Sequence, residues 1–182
     1  MTAARVHIVG ASGAGTTTLG RALAQRLGCP HLDTDDYFWL PTDPPFETIR
    51  PRPERQALLG ADLERHPAWV LSGSLCGWGD LFIPRFDLVV FLRLPSEARL
   101  ARLRARERER YGDAIAPGAA RHEKYVEFLA WAARYDEGEP VERSLRMHEA
   151  WLARLPCPVL RLDGAWETAR QVDEVARRVP PG

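Results

Sequence analysis

The sequence has little lysine, little cysteine and no net charge. Lys124 is the only lysine, and the formal net charge is +0, which argues against a broad basic surface for nucleic acid. Cys29, Cys76 and Cys157 lie far apart without a Cys-x-x-Cys pair. They therefore predict neither a zinc site nor a disulfide framework, and they suit a reducing cytoplasm. No apolar run approaches the length of a membrane span, so we expect no membrane association.

The chain alternates between short apolar segments and segments with helical spacing of apolar residues. The predicted strands are Val6–Val9, a segment from His31 that runs into a loop, Trp69–Leu71, Leu88–Leu92 and Pro158–Leu162; the predicted helices are Thr16–Leu27, Glu54–His66, Pro95 to about Arg110, His122–Tyr135, Val141–Leu155 and Trp166–Val179. The length predicts one domain over residues 1–182. The alternation indicates an α/β fold in three layers, with a parallel five-stranded sheet between helices. Ligands of such sheets bind at the carboxyl ends of the strands.

A glycine-rich loop joins the first strand to the first helix. It reads Gly10-Ala-Ser-Gly-Ala-Gly-Thr-Thr-Thr18. Glycines let the backbone approach a ligand closely, and exposed N–H groups beside a helix N-terminus attract phosphate. Compared with the phosphate-loop pattern G-x-x-x-x-G-K-[ST], Gly10 and Gly15 match the glycines and Thr17 matches the magnesium-holding hydroxyl. The predicted nucleotide-binding residues are Gly10, Ser12, Gly13, Ala14, Gly15, Thr16, Thr17 and Thr18.

The loop lacks the lysine of the pattern, because Thr16 stands in its place. A unit charge about 4 Å from a phosphate oxygen contributes roughly 4 kcal/mol at an effective dielectric constant near 20. The loss of that energy in a transition state slows a reaction by roughly a thousandfold. Lys124 and the arginines are the candidates for a replacement.

With this loop in this order of elements, the chain resembles the P-loop kinase superfamily. The resemblance is to its small phosphotransferases: the shikimate, gluconate, adenylate and nucleoside kinases. It implies that ATP or GTP is bound with Mg²⁺ and that a small molecule or nucleotide accepts the γ-phosphoryl group. It also implies an acceptor-binding segment at about residues 37–66, and a helical lid with added helices at about residues 106–156.

Three carboxylates follow the second predicted strand, at Asp33, Asp35 and Asp36. In a phosphate site one carboxylate can accept the proton of an attacking hydroxyl, and another can organise magnesium. The pair Asp33-x-Asp35 resembles that of shikimate kinases, and Asp35-Asp36-Tyr-Phe resembles a segment of uridine and nicotinamide riboside kinases. Both resemblances imply that Asp35 is the catalytic base beside the acceptor, and Asp33 is expected to join Thr17 as a metal ligand. A solvated turn with helix-capping aspartates is the alternative.

The acidic residue that usually ends the third strand of this superfamily is absent, since Ser72 and Ser74 stand there. The third predicted helix, from Pro95 to about Arg110, carries a stripe of arginines at Arg99, Arg102, Arg106 and Arg110. By resemblance, Arg106 and Arg110 are the catalytic arginines of a lid and partly supply the charge that Thr16 lacks.

The acceptor pocket is predicted around Asp35, Trp39, Arg52 and Trp78, because an arginine there can bind an acidic group and tryptophans can stack on a ring. Core packing is the alternative for each tryptophan.

Two other functions stay open at this point. A nucleotide-binding module or sensor without fast catalysis would explain Thr16. A Rossmann NAD(P)-binding protein would explain the glycines and the acids near residue 33, but the threonine run favours phosphate and magnesium. The sequence leaves the acceptor, the choice of ATP or GTP, and the oligomeric state open.

Overall fold

The computed structural model describes residues 4–138 and 143–179. The strands are β1 (Arg5–Gly10), β2 (His31–Asp33), β3 (Trp69–Ser72), β4 (Leu88–Arg93) and β5 (Val159–Asp163). The helices are α1 (Thr16–Leu27), α2 (Thr34–Phe38), α3 (Arg52–Arg65), α4 (Ser96–Tyr111), α5 (His122–Ala133), α6 (Leu145–Leu152) and α7 (Thr168–Ala176). Short 3-10 turns cover Asp80–Arg85, Gly112–Ile115 and Arg134–Asp136.

The five strands form one parallel sheet in the order β2-β3-β1-β4-β5. The predicted three-layer α/β fold with a parallel five-stranded sheet is confirmed. The order places β3 beside β1, whereas β2 lies beside β1 in the Rossmann order 3-2-1-4-5-6. The glycine loop at the end of β1 therefore lies between the ends of β3 and β4, and the topology argues against the Rossmann alternative.

The two faces of the sheet pack against different helices. On one face, Leu19 and Leu23 of α1 and Val172 and Val175 of α7 cover the sheet. On the other face, side chains from α3, the Asp80–Arg85 turn and α6 form a second core rich in aromatic residues: Leu59, Leu63, Phe82, Trp151 and Leu152. Burial of both faces explains why β1 and β4 are almost continuously apolar.

Local differences from the predicted elements have clear causes. The segment after β2 is the helix α2 rather than a loop, because the Asp33 side chain accepts a hydrogen bond from the Asp35 N–H at the start of the helix and Tyr37 packs into the core. The predicted helix Val141–Leu155 shortens to Leu145–Leu152, which begins where the Ser144 hydroxyl accepts from the Met147 N–H; residues 141 and 142 lie outside the described residues. Within the described ranges, no helix has the length and apolarity to cross a membrane.

Arg99 connects α4 to the end of α5. Its side chain is buried, and its guanidinium donates to the carbonyls of Leu94 and Ala132 and to the Asp136 carboxylate. The residue also lies over the Tyr135 ring. Arg99 therefore holds the added helices against the sheet and is not available to a ligand.

Candidate active site

The glycine loop forms a tight cradle at the end of β1. Gly13 and Gly15 have φ angles of 82° and 100°, which favour glycine. A β-carbon on Gly13 would lie 2.7 Å from the carbonyl oxygen of Arg99, so the loop rests directly on the first turn of α4. Gly15 caps α1 without a side-chain hydrogen bond. The N–H groups of the first turn of α1 are therefore left for an anion, together with the helix dipole.

Asp33, at the end of β2, connects the first turn of α1 to the end of β3. Its Oδ2 accepts hydrogen bonds from the Thr17 hydroxyl at 2.7 Å and from the Ser72 hydroxyl at 3.1 Å. Because Ser72 gives its hydrogen to Asp33, His31 must donate through Nε2 to the Ser72 oxygen, at 2.9 Å. Nε2 of His31 therefore carries a proton. Desolvation lowers the pKa of His31 and so favours the neutral ring, with that proton on Nε2.

The oxygen atoms around Asp33 fit a magnesium ion. A hydroxyl and a carboxylate in contact are hard ligands of the kind that Mg²⁺ prefers, with water and phosphate oxygens completing its shell. Thr17 and Asp33, the predicted metal ligands, are thus brought together, and Ser72 lies beside them at the end of β3. Among the described residues, no group of three or more His, Cys, Asp or Glu side chains is placed to hold a metal, so a histidine- or cysteine-based metal centre is not supported there.

Asp35 faces a cavity next to the loop. The cavity has a volume of about 570 Å³, and it extends from Ser12 and Asp35 to Arg106 and Arg143 and beyond. Asp35 is exposed, and its carboxylate faces the walls of this cavity rather than open solvent alone. Desolvation and the Asp33 charge raise the pKa of Asp35, while Arg143 and Arg106 oppose that rise. A carboxylate with a raised pKa and open access is suited to accept a proton.

The far walls of the cavity are aromatic and cationic. They include the six aromatic side chains of Trp39, Phe46, Tyr111, Tyr125, Phe128 and Trp131. The cations Arg106, Arg110, Arg121, Lys124 and Arg143 also line it. This composition suits a ring that carries an acidic group, because rings stack on aromatic faces and arginines bind carboxylate or phosphate.

The arginine stripe of α4 divides into three roles. Arg99 is buried in the protein interior, whereas Arg102 donates to the carbonyls of Ala14 and Gly164 beside the loop. Arg106 and Arg110 line the cavity, and both pair with the buried Glu107 carboxylate. Arg106 thus shares the cavity with Asp35, with a guanidinium that Glu107 already partly neutralises.

The predicted acceptor residues differ in whether they line the cavity. Trp39 lines the cavity, but Trp78 is 5% exposed and packs against Phe38 and Arg55. Trp78 reaches only a second, smaller cavity that also contains Asp35. Arg52 is exposed in the first turn of α3 and lines neither cavity. Arg52 was predicted because an arginine in the proline-rich segment from Pro41 to Pro53 could bind an acidic group of the acceptor. Pro53 and the start of α3 direct it to solvent instead.

Lys124 lies away from the loop. Its ammonium and the Arg121 guanidinium both pair with Glu47, in the segment between α2 and α3. These ion pairs lower the pKa of Glu47. Together with the contact of Arg110 over the Phe46 ring, they join α4 and α5 to the segment before α3 across the mouth of the cavity. Lys124 is thus held by Glu47 at the wall of the cavity and does not take the place of the loop lysine.

Arg143 is a site residue that the sequence did not reveal. It lies before α6, donates from Nη2 to the Gly10 carbonyl at 3.4 Å, and lines both cavities with Asp35. Nothing in its local sequence distinguishes it from neighbouring arginines. Only the return of the chain from α5 to α6 brings it to the end of β1.

A buried polar chain lies behind Arg143. The Tyr135 hydroxyl lies 2.6 Å from His148 Nδ1, and the Ser74 hydroxyl lies 3.2 Å from His148 Nε2. Burial lowers the pKa of His148 to about 3, so the ring is neutral and one of its nitrogens donates while the other accepts. Burial also raises the pKa of Cys76 to about 11, which argues against a nucleophilic thiolate.

Comparison with known proteins places these features in a family. A family model described as an AAA domain matches residues 6–126. The chain is 48% identical over 170 residues to the uncharacterized protein YqaC of Bacillus subtilis strain 168, with 93% of this chain and 94% of that protein covered. It is 32% identical over 123 residues to a shikimate kinase of Thermosynechococcus vestitus, with 59% of this chain and 63% of that enzyme covered.

Solved structures share the fold at low identity. A shikimate kinase from Bacteroides thetaiotaomicron has a TM-score of 0.57 at 20% identity, over 96% of this chain and 97% of that chain. A gluconokinase from Sinorhizobium meliloti 1021 has a TM-score of 0.54 at 17% identity, over 98% of this chain and 94% of that chain. The family match covers more than half of the chain, and the fold is that of the kinases named here. The chain therefore belongs to the AAA domain family of that model and to the P-loop kinase superfamily, among its small phosphotransferases.

Proposed function

We propose that the protein is an ATP- and Mg²⁺-dependent kinase that transfers the γ-phosphoryl group to a hydroxyl or phosphate oxygen of a small acceptor. One observation carries the proposal: Asp35 lines a cavity together with Ser12 of the loop, while Asp33, two residues before Asp35, accepts a hydrogen bond from the Thr17 hydroxyl. A proton acceptor, an oxygen-rich metal site and a phosphate cradle therefore meet at one place. A module that only binds nucleotide has no need for the first of these.

The residues divide the chemistry among themselves. The loop Gly10–Thr18 holds the phosphates through backbone N–H groups, and Thr17 with Asp33 would hold magnesium, which neutralises charge on the β- and γ-phosphates. Asp35 takes the proton of the acceptor hydroxyl while the hydroxyl oxygen of the acceptor forms a bond to the γ-phosphorus. The bond from that phosphorus to the β-phosphate oxygen breaks, and ADP is released. Arg106 lines the same cavity as Asp35, from which it can approach the transferred group.

The proposed acceptor is a molecule with a ring and an acidic group. Six aromatic side chains line the cavity, and they offer stacking surfaces that a polyhydroxylated acid does not require. The similar proteins include enzymes named for shikimate and gluconate, so these two acids are the natural comparison compounds. Nucleoside monophosphates and aromatic hydroxy acids satisfy both the stacking and the charge of the cavity.

The test is a phosphotransfer screen with Mg²⁺-ATP or Mg²⁺-GTP and a panel of nucleosides, nucleoside monophosphates, aromatic hydroxy acids, shikimate and gluconate. We expect release of ADP or GDP that depends on one acceptor class, with a phosphorylated product identified by mass spectrometry. Asp35→Asn should abolish product formation and leave the thermal shift by Mg²⁺-ATP intact. Stabilisation by NAD(P) alone would refute the proposal. Stabilisation by Mg²⁺-ATP without product from any acceptor would favour the nucleotide-binding module, which Thr16 supports.

A further inference from the structure

The P-loop has a specific deficit of charge. A lysine at position 16 would extend along the loop and reach the β- and γ-phosphates, whereas Thr16 carries no charge. The direction of the missing side chain can be read from Thr16 itself. Its methyl group lies 3.2 Å from the position that a β-carbon on Gly10 would take. The side chain at position 16 therefore adjoins the start of the loop, where Gly10 lies.

Arg143 already reaches this place from another part of the chain. Its Nη2 donates to the Gly10 carbonyl over 3.4 Å, which is long for a hydrogen bond. Its Nε is buried and has no hydrogen-bond partner. The guanidinium also lines both cavities that contain Asp35, and its charge acts on the Asp35 carboxylate. A cation that is held to the start of the loop by one long hydrogen bond thus shares both cavities with the proposed base, where the γ-phosphate must be during transfer.

The other cations that were candidates to replace the loop lysine are paired with other groups. Arg102 donates to the Ala14 and Gly164 carbonyls and lines neither cavity. Arg106 and Arg110 pair with Glu107. Lys124 pairs with Glu47. Among these cations, Arg143 combines a place at the start of the loop with a guanidinium that no carboxylate of the described residues neutralises.

We propose that Arg143 supplies, from the segment before α6, the positive charge at the γ-phosphate that a lysine at position 16 supplies in other P-loops. This inference rests on the proposed nucleotide binding. It assigns the guanidinium to the nucleotide, and the competing assignment is to an acidic group of the acceptor. The two assignments differ in a measurable way, because a residue that binds the acceptor does not change nucleotide affinity in the absence of acceptor.

The experiment is isothermal titration of the full chain without acceptor. The probes are Mg²⁺ with a non-hydrolysable β,γ-imido analogue of ATP, and Mg²⁺-ADP. The variants are Arg143→Ala, the double variant Thr16→Lys/Arg143→Ala, and the control Arg104→Ala, which removes an exposed arginine of α4. Thermal denaturation followed by circular dichroism checks that each variant is folded.

We expect Arg143→Ala to weaken the binding of the triphosphate analogue by about 10- to 100-fold, which is the range of a charge-assisted hydrogen bond. The binding of ADP should weaken by less than about threefold. The double variant should recover the wild-type affinity for the analogue within about threefold, and Arg104→Ala should match wild type. Rescue by a lysine on a different element would not follow from a merely structural role of Arg143.

Three results would overturn the inference. One is an Arg143→Ala variant that keeps the wild-type affinity for the triphosphate analogue. Another is an equal loss of affinity for both nucleotides, because the guanidinium would then not act at the γ-phosphate. The third is a double variant no tighter than Arg143→Ala. Failure of the wild-type protein to bind either nucleotide would instead refute the proposed function itself, and this inference with it.

Discussion

Replacement of Arg99 by methionine tests whether the added helices depend on a buried guanidinium. Methionine retains much of the aliphatic stem but none of the donors. The carbonyls of Leu94 and Ala132, which accept at 3.0 and 3.2 Å, would lose their Arg99 donors. The Asp136 carboxylate would lose a contact of 2.6 Å, but its side chain is 36% exposed and can be hydrated.

The magnitude follows from these three partners. A buried carbonyl that loses its donor costs about 1–3 kcal/mol, and a part-exposed ion pair contributes about 0–1 kcal/mol. Relief from burying the guanidinium offsets a part of this sum. We therefore expect the free energy of unfolding to fall by about 3 kcal/mol. Arg99→Lys should lose less, because one ammonium can still serve one carbonyl.

The measurement is urea unfolding followed by circular dichroism, with Arg104→Met as the matched control on the exposed side of α4. The control should change the free energy of unfolding by less than about 0.5 kcal/mol. If Arg99→Met falls within about 1 kcal/mol of wild type, the assignment of Arg99 as a structural tie is wrong.

Further predictions concern the loop, the base and the mouth of the cavity. Asp35→Asn should lower kcat by about 10²–10⁴, measured with whichever acceptor the screen identifies. Because the pKa of Asp35 is raised, the acidic limb of the kcat profile should lie at higher pH than for an ordinary aspartate. The folded state disfavours ionised Asp35, so its contribution to stability falls as pH rises from its unfolded-state pKa through its folded-state pKa. Asp35→Asn should therefore be more stable than wild type at neutral pH, and the difference should vanish in acid. Gly13→Ala should destabilise the loop by about 1–3 kcal/mol, since its φ is 82° and a β-carbon would meet the Arg99 carbonyl; an unchanged melting temperature and unchanged nucleotide affinity would contradict this. Glu47→Gln should release the mouth of the cavity, seen as faster hydrogen exchange in residues 42–50. The lowered pKa of Glu47 means that its ion pairs are present above its unfolded-state pKa and are lost as pH falls through its folded-state pKa; wild-type exchange rates in the variant would show that the ion pairs do not close it.

Local pattern was enough for the layer architecture and the loop. The apolar runs of β1 and β4, the helical spacing in α1 and the glycines between β1 and α1 are each contained within about ten residues. Periodicity and residue type therefore predict these elements. The pair Asp33 and Asp35 was also found from its spacing after a strand. Helix α2 was missed because its formation depends on the Asp33 cap and on Tyr37 entering a core built by distant elements.

The assignment of the arginines shows what spacing cannot provide. Arg99, Arg102, Arg106 and Arg110 share one helical stripe, yet the protein interior, the Ala14 carbonyl and the Glu107 carboxylate give them different roles. Arg52 lies in the proline-rich segment but points to solvent at the start of α3. The environment of a charged side chain depends on elements that are far away in sequence, and no local pattern contains it.

The missing lysine at Thr16 separates the two kinds of information. The sequence by itself determined that a glycine-rich loop close to the phosphate-loop pattern joins β1 to α1 and that the lysine of that pattern is absent, because the loop is a contiguous piece of chain with its own backbone requirements. Only the tertiary structure decided that Lys124 is held by Glu47 and that Arg143 lies at the Gly10 carbonyl. The physical reason is that electrostatic energy depends on distance in space, and the fold alone brings residue 143 to residue 10.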